Sequence, residues 1–425
     1  MKEKLMNIFK KKFVKNVMVI ATGTAMAQAI TFLLLPLVTR LYGPDAYGLM
    51  SSFIAIVAIL TPIAALTLPL AIVLPKEERE AISIIRVSLM INLLLFIIFL
   101  FTIHFLYESI IEILNAEKIG QYIYLLPFVI FLAGLFQIMR QWLIRNKQFK
   151  VISQVAILQP IFTYGGMVSM GVVYPIAPIL IIFSSLRDAF ATLLMYKKVK
   201  NKSSIRIKLE KFSLTLGETL KKYKDFPQFR APEAFISSIS QNLPVLLLST
   251  FMGPAGAGYY TLALTALSLP AKFLGTAVGD VFYPRVAEGF NKNENLNSLL
   301  LKATLALLAV GALPFGLIIV TGPWIFTLIF GEEWVVAGEY SKWIAIMSFF
   351  MFISRPTIKV LPVIGAQKFH LIFTIIMTFT RISSLYVGLV YLNHMVAIAT
   401  FSIASSCLYL ILIIATFKKI RTLIR

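Results

Sequence analysis

Apolar runs of about twenty residues recur along the whole of this chain, and that recurrence limits its folds more than any other feature. A helix needs roughly 20 such residues to cross the hydrocarbon core of a bilayer. Runs of that size fall at 14–38, 48–74, 83–107, 120–143, 152–174, 176–196, 231–253, 258–286, 297–322, 338–361, 368–392 and 395–416. Of the 425 residues, 59% are hydrophobic and only 14% charged, against roughly 25% charged in a soluble domain. So few charges cannot cover so much apolar surface, which excludes a water-soluble globular protein. Disorder, which requires low hydrophobicity, is excluded as well. The expected fold is all-α and integral to the membrane, with twelve transmembrane helices. The first run is too long for a cleavable signal and is expected to stay. Trp324–Phe330 is apolar but too short to cross, so 322–337 is expected to be an outer loop turn.

The formal charge of +21 would suggest nucleic acid in a soluble protein. Here its placement follows topology. Of 40 basic residues, only Arg40, Lys118 and Lys342 fall in outer loops, and Arg187, Lys272, Arg355 and Arg381 fall within spans. The rest lie in segments, or at the span ends that border them, that are all inside if the amino terminus is inside. This bias predicts that both termini are cytoplasmic and removes the main argument for a nucleic-acid partner. Membrane lipids are the expected surroundings, with anionic lipid drawn to the basic inner face. Cys407 is the only cysteine, and His104, His370 and His394 are scattered, so neither a disulfide framework nor a metal centre is expected.

The chain carries an internal repeat. Leu41-Tyr42-Gly43-Pro44-Asp45-Ala46-Tyr47-Gly48 is echoed by Phe251-Met252-Gly253-Pro254-Ala255-Gly256-Ala257-Gly258 at an offset of 210 residues. Each copy follows the first span of a six-span half, where glycine and proline make a tight reversal. Six being even, both halves enter the membrane in the same sense, as parallel repeats about a pseudo-two-fold axis along the membrane normal. The expected organisation is a six-helix bundle over 1–196, a basic cytoplasmic linker over 197–230 and a second six-helix bundle over 231–425. In the linker, Leu214, Leu220, Tyr223 and Phe226 stand among lysines and predict a surface-lying amphipathic helix.

Polar residues recur on single faces of several spans. Thr261, Thr265, Ser268, Lys272, Gly275 and Gly279 form one such stripe, and Thr374, Thr378, Arg381, Ser384 and Gly388 another. Ser341, Ser348 and Arg355 are spaced by seven; Glu233, Ser237 and Gln241 share a face, with Asn242 beside it. Small and hydroxylated residues also line ordinary helix contacts in membranes. The charges are harder to dismiss, since each costs about 2.5–3.5 kcal/mol at the bilayer centre. A lumen lined by Arg381, Lys272, Arg355 and Arg187, with Gln241 and Asn242, would suit an anion carrying sugar hydroxyls. Alternatively, Arg355 snorkels to the interface and Asp188 neutralises Arg187. Asp188, Glu233 and Asp280 are the in-span carboxylates that could carry a coupling H⁺ or Na⁺, or serve as structural partners. No Walker-type loop for ATP occurs, and no cofactor is expected.

Several short segments resemble the polysaccharide-transporter family of the multidrug/oligosaccharidyl-lipid/polysaccharide exporter superfamily. They are Pro36, Arg40-Leu41-Tyr42-Gly43-Pro44 with Tyr47-Gly48, Arg145-Asn146-Lys147-Gln148-Phe149, and Gly253-Pro254 with Gly258-Tyr259-Tyr260. Phe282-Tyr283-Pro284-Arg285 and Gly331-Glu332-Glu333-Trp334 are similar as well. The resemblance implies a plasma-membrane flippase, not an enzyme, for polyprenyl-pyrophosphate-linked oligosaccharides such as O-antigen units, working by alternating access of a cavity between the bundles. It also implies a polysaccharide polymerase and glycosyltransferases as working partners. Three alternatives stand beside it. A multidrug cation antiporter would need more acids than bases in its lumen. A lipid II flippase would be supported by fourteen spans. A membrane glycosyltransferase or polymerase would require a sizeable outer domain or paired carboxylates.

Overall fold

In the computed structural model, residues 2–114, 120–199, 215–292 and 294–424 are described; for part of these, 269–281 included, only the backbone is described. The described chain is helical, with no strand. Among the described residues thirteen α-helices follow one another: α1 (Lys2–Leu60), α2 (Glu78–Leu114), α3 (Leu126–Arg145), α4 (Phe149–Gly171), α5 (Ala177–Lys198), α6 (Leu216–Lys222), α7 (Ala231–Met252), α8 (Pro254–Asn291), α9 (Leu296–Phe330), α10 (Val335–Ile353), α11 (Arg355–Val363), α12 (Gln367–Tyr391) and α13 (His394–Ile424). Among the described residues, ten segments are long and apolar enough to cross a membrane, where the sequence predicts twelve. The first segment contains two arms of α1 meeting at Gly43, and α8 is not among the ten. The chain is a multi-pass membrane protein.

Two expected boundaries move. The run 48–74 is not one helix: α1 stops at Leu60, before Pro62, whose ring and missing N–H oppose continuation. Turns then lead into a 3₁₀ helix, Leu68–Val73. The expected outer turn at 322–337 is also displaced, because α9 runs on to Phe330. Pro314 and Pro323 lie inside α9 without ending it. At 35 residues α9 is roughly 52 Å long, well beyond the hydrocarbon thickness of about 30 Å. The tenth span is divided into α10 and α11 at Ser354, just before Pro356.

The chain forms two compact units, Met1–Tyr42 with Leu49–Leu246, and Gly43–Gly48 with Leu247–Arg425. In the first, the irregular stretch after α1 leaves backbone carbonyls that no helix satisfies. Arg145, at the end of α3, serves them. Its Nη1 donates to Ile72 O (3.0 Å) and Pro75 O (2.6 Å), and its Nη2 to Glu77 O (3.0 Å). A planar fork reaches several carbonyls at once, which an ammonium cannot match. Tyr42 donates to Met167 O at 2.7 Å, its ring lying in the space left by Gly171.

The linker helix α6 packs onto this same unit. A capping box starts it: Thr215 and Glu218 exchange hydrogen bonds, which hold the Glu218 carboxyl below the usual carboxylate range. Tyr223 donates to Glu80 Oε1 at 2.7 Å and Lys222 pairs with the same carboxylate. Burial, then the bond to Glu80, push the Tyr223 hydroxyl up. Tyr223 joins a core with Leu68, Ile72, Ile84 and Trp142, and Phe226 packs against it. Leu220 stays exposed.

In the second unit the two copies of the repeat meet. Gly43 (φ 67°, ψ 174°) and Gly253 (φ 75°, ψ −179°) share one conformation, in the region that favours glycine. Each leads through a proline into a helix. A Cβ on Gly48 would strike the Pro254 carbonyl, and a Cβ on Gly258 would strike the Pro44 carbonyl. This reciprocity is what a two-fold relation between identical patches produces. Tyr47 and Tyr259 both set ring edges against buried Trp334, at 5.6 and 6.0 Å between centroids.

Gly48→Ala and Gly258→Ala should each destabilise the protein by about 1–3 kcal/mol, whereas Gly165→Ala, with open space around it, should not. Thermal unfolding in detergent measures this, and parent-like melting of both crossing variants would refute the close packing. Arg145→Lys should loosen 61–77 nearly as much as Arg145→Ala, on the order of 3 kcal/mol. Faster proteolysis within that segment is the readout.

Candidate functional site

The second unit holds a guanidinium that makes no ion pair among the described residues. Arg381 lies on α12, on the side away from the exposed Ile372, Ile375, Ile376 and Phe379. Its guanidinium carbon sits 4.9 Å from the ring centroid of Phe401 on α13, and Nη2 approaches Met347 Sδ on α10 at 3.7 Å. Nε is buried with no hydrogen-bond partner among the described residues. Tyr260, on α8, is edge-on to Phe401 at 6.3 Å, and Tyr260 and Arg381 are within electrostatic reach. The residues next to these rings, Thr261 and Ser402, also carry buried hydroxyls without partners among the described residues.

A desolvated cation–π contact returns about 2 kcal/mol, while taking a guanidinium out of water costs several. A sulfur contact adds little. Among the described residues no carboxylate makes up the difference, so the site is electrostatically suited to an anion. Arg355, at the first position of α11, is half-buried and lies near Tyr409. It likewise makes no ion pair among the described residues.

The first unit treats its cation differently. Arg187 Nε donates to Asp188 Oδ1 at 3.0 Å. Gln159 Nε2, from α4, donates to the same oxygen at 3.3 Å. Glu233 pairs with Arg230 at 2.7 Å, both exposed. Gln241 turns back to Ser237, donating to its Oγ at 3.1 Å, and Asn242 donates to Ser238 O at 2.9 Å. The side chains of Lys272 and Asp280 lie outside the described residues. Of the expected lumen residues, Arg187, Gln241 and Asn242 belong to the first unit, and Arg355 and Arg381 to the second.

The hydroxyl stripe around Arg381 bonds to its own helix: Thr374 to His370 O, Thr378 to Thr374 O and Ser384 to Arg381 O, at 2.8, 2.8 and 2.9 Å. Gly388, on the same stripe, packs against Ala397 of α13. Phe401, Met347 and Gln159 were not singled out from sequence, and Tyr260 was noted only within the segment Gly258-Tyr259-Tyr260 and not as a site residue. They belong to other helices, and an aromatic or thioether in an apolar run carries no periodic mark. No cluster of His, Cys, Asp and Glu among the described residues could hold a metal.

The comparisons agree with this architecture. The chain is similar in structure to an inward-facing multidrug resistance MATE family transporter of the MOP superfamily, with TM-score 0.70, 17% identity and coverage of 95% of this chain and 94% of that one. It is equally similar to the lipid II flippase MurJ in an inward closed conformation, with TM-score 0.70, 19% identity and coverage of 95% and 90%. In sequence it is 26% identical over 144 residues to the teichuronic acid biosynthesis protein TuaB of Bacillus subtilis (strain 168). That match spans 33% of this chain and only 29% of TuaB's length. The pattern of a family described as "Polysaccharide biosynthesis protein" matches residues 37–339. Covering well over half of a chain with the fold of MATE and MurJ proteins, that match makes this protein a member of the polysaccharide biosynthesis protein family.

Proposed function

We propose that this protein is a flippase that carries a polyprenyl-pyrophosphate-linked oligosaccharide from the inner to the outer leaflet of the plasma membrane by alternating access, with both termini cytoplasmic. The obstacle it removes is a sugar–pyrophosphate head group that cannot enter hydrocarbon unaided. Arg381 carries the reading: a guanidinium set on a membrane-spanning helix, with a buried Nε that no acceptor among the described residues meets. Charged groups in such positions mark substrate or ion paths, and guanidinium binds phosphate through forked donors. Arg355, Lys272 and Arg187 would add to the binding charge, and the amides of Gln241 and Asn242 suit sugar hydroxyls. The family supplies the polysaccharide pathway, and the fold shared with a lipid II flippase fits a lipid-linked cargo.

The fold alone fits a multidrug cation exporter equally well. The charges favour the anionic cargo, because Asp188 is already paired with Arg187 whereas Arg381 meets no acid among the described residues. Carrying two negative charges outward across an inside-negative membrane releases roughly 4.6 kcal/mol per 100 mV. The membrane potential could therefore drive transport, alone or with H⁺ or Na⁺ antiport through Glu233 or Asp280.

In vesicles reconstituted with a fluorescent polyprenyl-pyrophosphate oligosaccharide, Lys272→Ala combined with Arg381→Ala should lower flipping at least tenfold without loss of folded protein. Parent-like flipping by that variant would remove the binding assignment. A parent protein that moves lipid II or an organic cation, and not the oligosaccharide lipid, would redirect the function.

A further inference from the structure

The pair in the first unit has an unusual form. Neighbouring residues on a helix diverge by about 100° and do not ordinarily face each other, yet Arg187 and Asp188 are bonded. The bond uses Nε alone, and Asp188 takes only one of the guanidinium's five N–H groups. Nη1 and Nη2 make no hydrogen bond among the described residues, and 51% of the Arg187 side chain is exposed. Asp188 is mostly enclosed and fixed from a second helix: Gln159 Nε2 donates to its Oδ1 and also approaches the Arg187 carbonyl at 3.5 Å. Thr192 donates to the Asp188 carbonyl at 2.7 Å. Tyr164, on the same helix as Gln159, lies within electrostatic reach of the guanidinium.

Nor does Arg187 point the way a lipid-facing residue would. The exposed apolar face of α5 is formed by Ile182, Leu186 and Leu193, and Arg187 lies about 100–140° around the helix from all three. A carboxylate that only neutralised this cation would take the two-pronged end of the fork, the stronger arrangement. Here that end is left open.

We propose that Arg187 is a phosphoryl-binding group whose fork is held in place by Asp188 and Gln159, so that Asp188 is a positioning residue and not the carrier of a coupling ion. The inference rests on the anionic cargo proposed above and adds Gln159 to the machinery. The ligand is a pyrophosphate or phosphate diester whose two oxygens accept from Nη1 and Nη2, while Nε stays on the carboxylate.

The test is titration of the purified full chain with farnesyl pyrophosphate and with inorganic pyrophosphate, farnesol being the control. Asp188→Asn and Gln159→Leu should each weaken pyrophosphate binding about tenfold, and Asp188→Glu should recover part of it. In an Arg187→Ala background neither change should have a further effect, the signature of action through that arginine. In vesicles, Asp188→Asn should raise the apparent KM for the oligosaccharide lipid while keeping the parent's response to imposed H⁺ or Na⁺ gradients. Parent-like binding by Asp188→Asn, effects that persist without Arg187, or a lost gradient response would overturn the proposal. If Asp188→Asn does not fold, Gln159→Leu decides the question. A parent that binds pyrophosphate but flips no oligosaccharide lipid counts against the cargo alone; a parent that binds neither pyrophosphate overturns this inference.

Discussion

Hydrocarbon offers no hydrogen bonds, and most of this structure follows from that. Helices satisfy their own backbone, so most of the described chain is helical. The instructive places are those where a helix gives way. After Leu60 the backbone leaves the α conformation for a stretch that includes Leu66 and Thr67 at positive φ. The fork of Arg145 then collects carbonyls from Ile72 to Glu77. An arginine that looks like part of an ordinary basic loop is a structural donor for irregular backbone. The same accounting governs the hydroxyls of α12, which bond to carbonyls one turn back.

The helices and their repeat were legible in the sequence because apolar length and Gly-Pro pairs are local signals. Gly43-Pro44 and Gly253-Pro254 mark where positive φ is needed, and the two glycines adopt matching angles. Two boundaries were not legible. Hydropathy does not distinguish a helix from an apolar 3₁₀ turn, which is why 61–74 read as continuous. Nor does it set a maximum length, so Trp324–Phe330 was separated from the helix it extends. The apolar positions Leu220, Tyr223 and Phe226 predict an amphipathic linker helix, whereas α6 ends at Lys222 with Leu220 exposed, and Tyr223 and Phe226 follow it. The anchor of Tyr223, Glu80, was not legible, being 143 residues away.

For the site, sequence located the charges and not their company. Arg187 with Asp188 was readable because the two are adjacent. Arg381 was readable as costly, but the ring and sulfur beside it lie 20 and 34 residues away on other helices. The two cations therefore differ in a way composition hides. One has its charge balanced locally and its donors only partly used. The other has, among the described residues, neither an acid nor a partner for Nε.

The crossing of the two glycine motifs has a genetic consequence. In most crowded contacts an added methyl group can be relieved by trimming the side chain it meets. Here the atoms met at Pro254 and Pro44 are main-chain carbonyls, and no codon change shortens a carbonyl. Suppressors of a substitution at either glycine would have to move a whole helix arm, so both positions should stay fixed even in lineages whose cargo has changed.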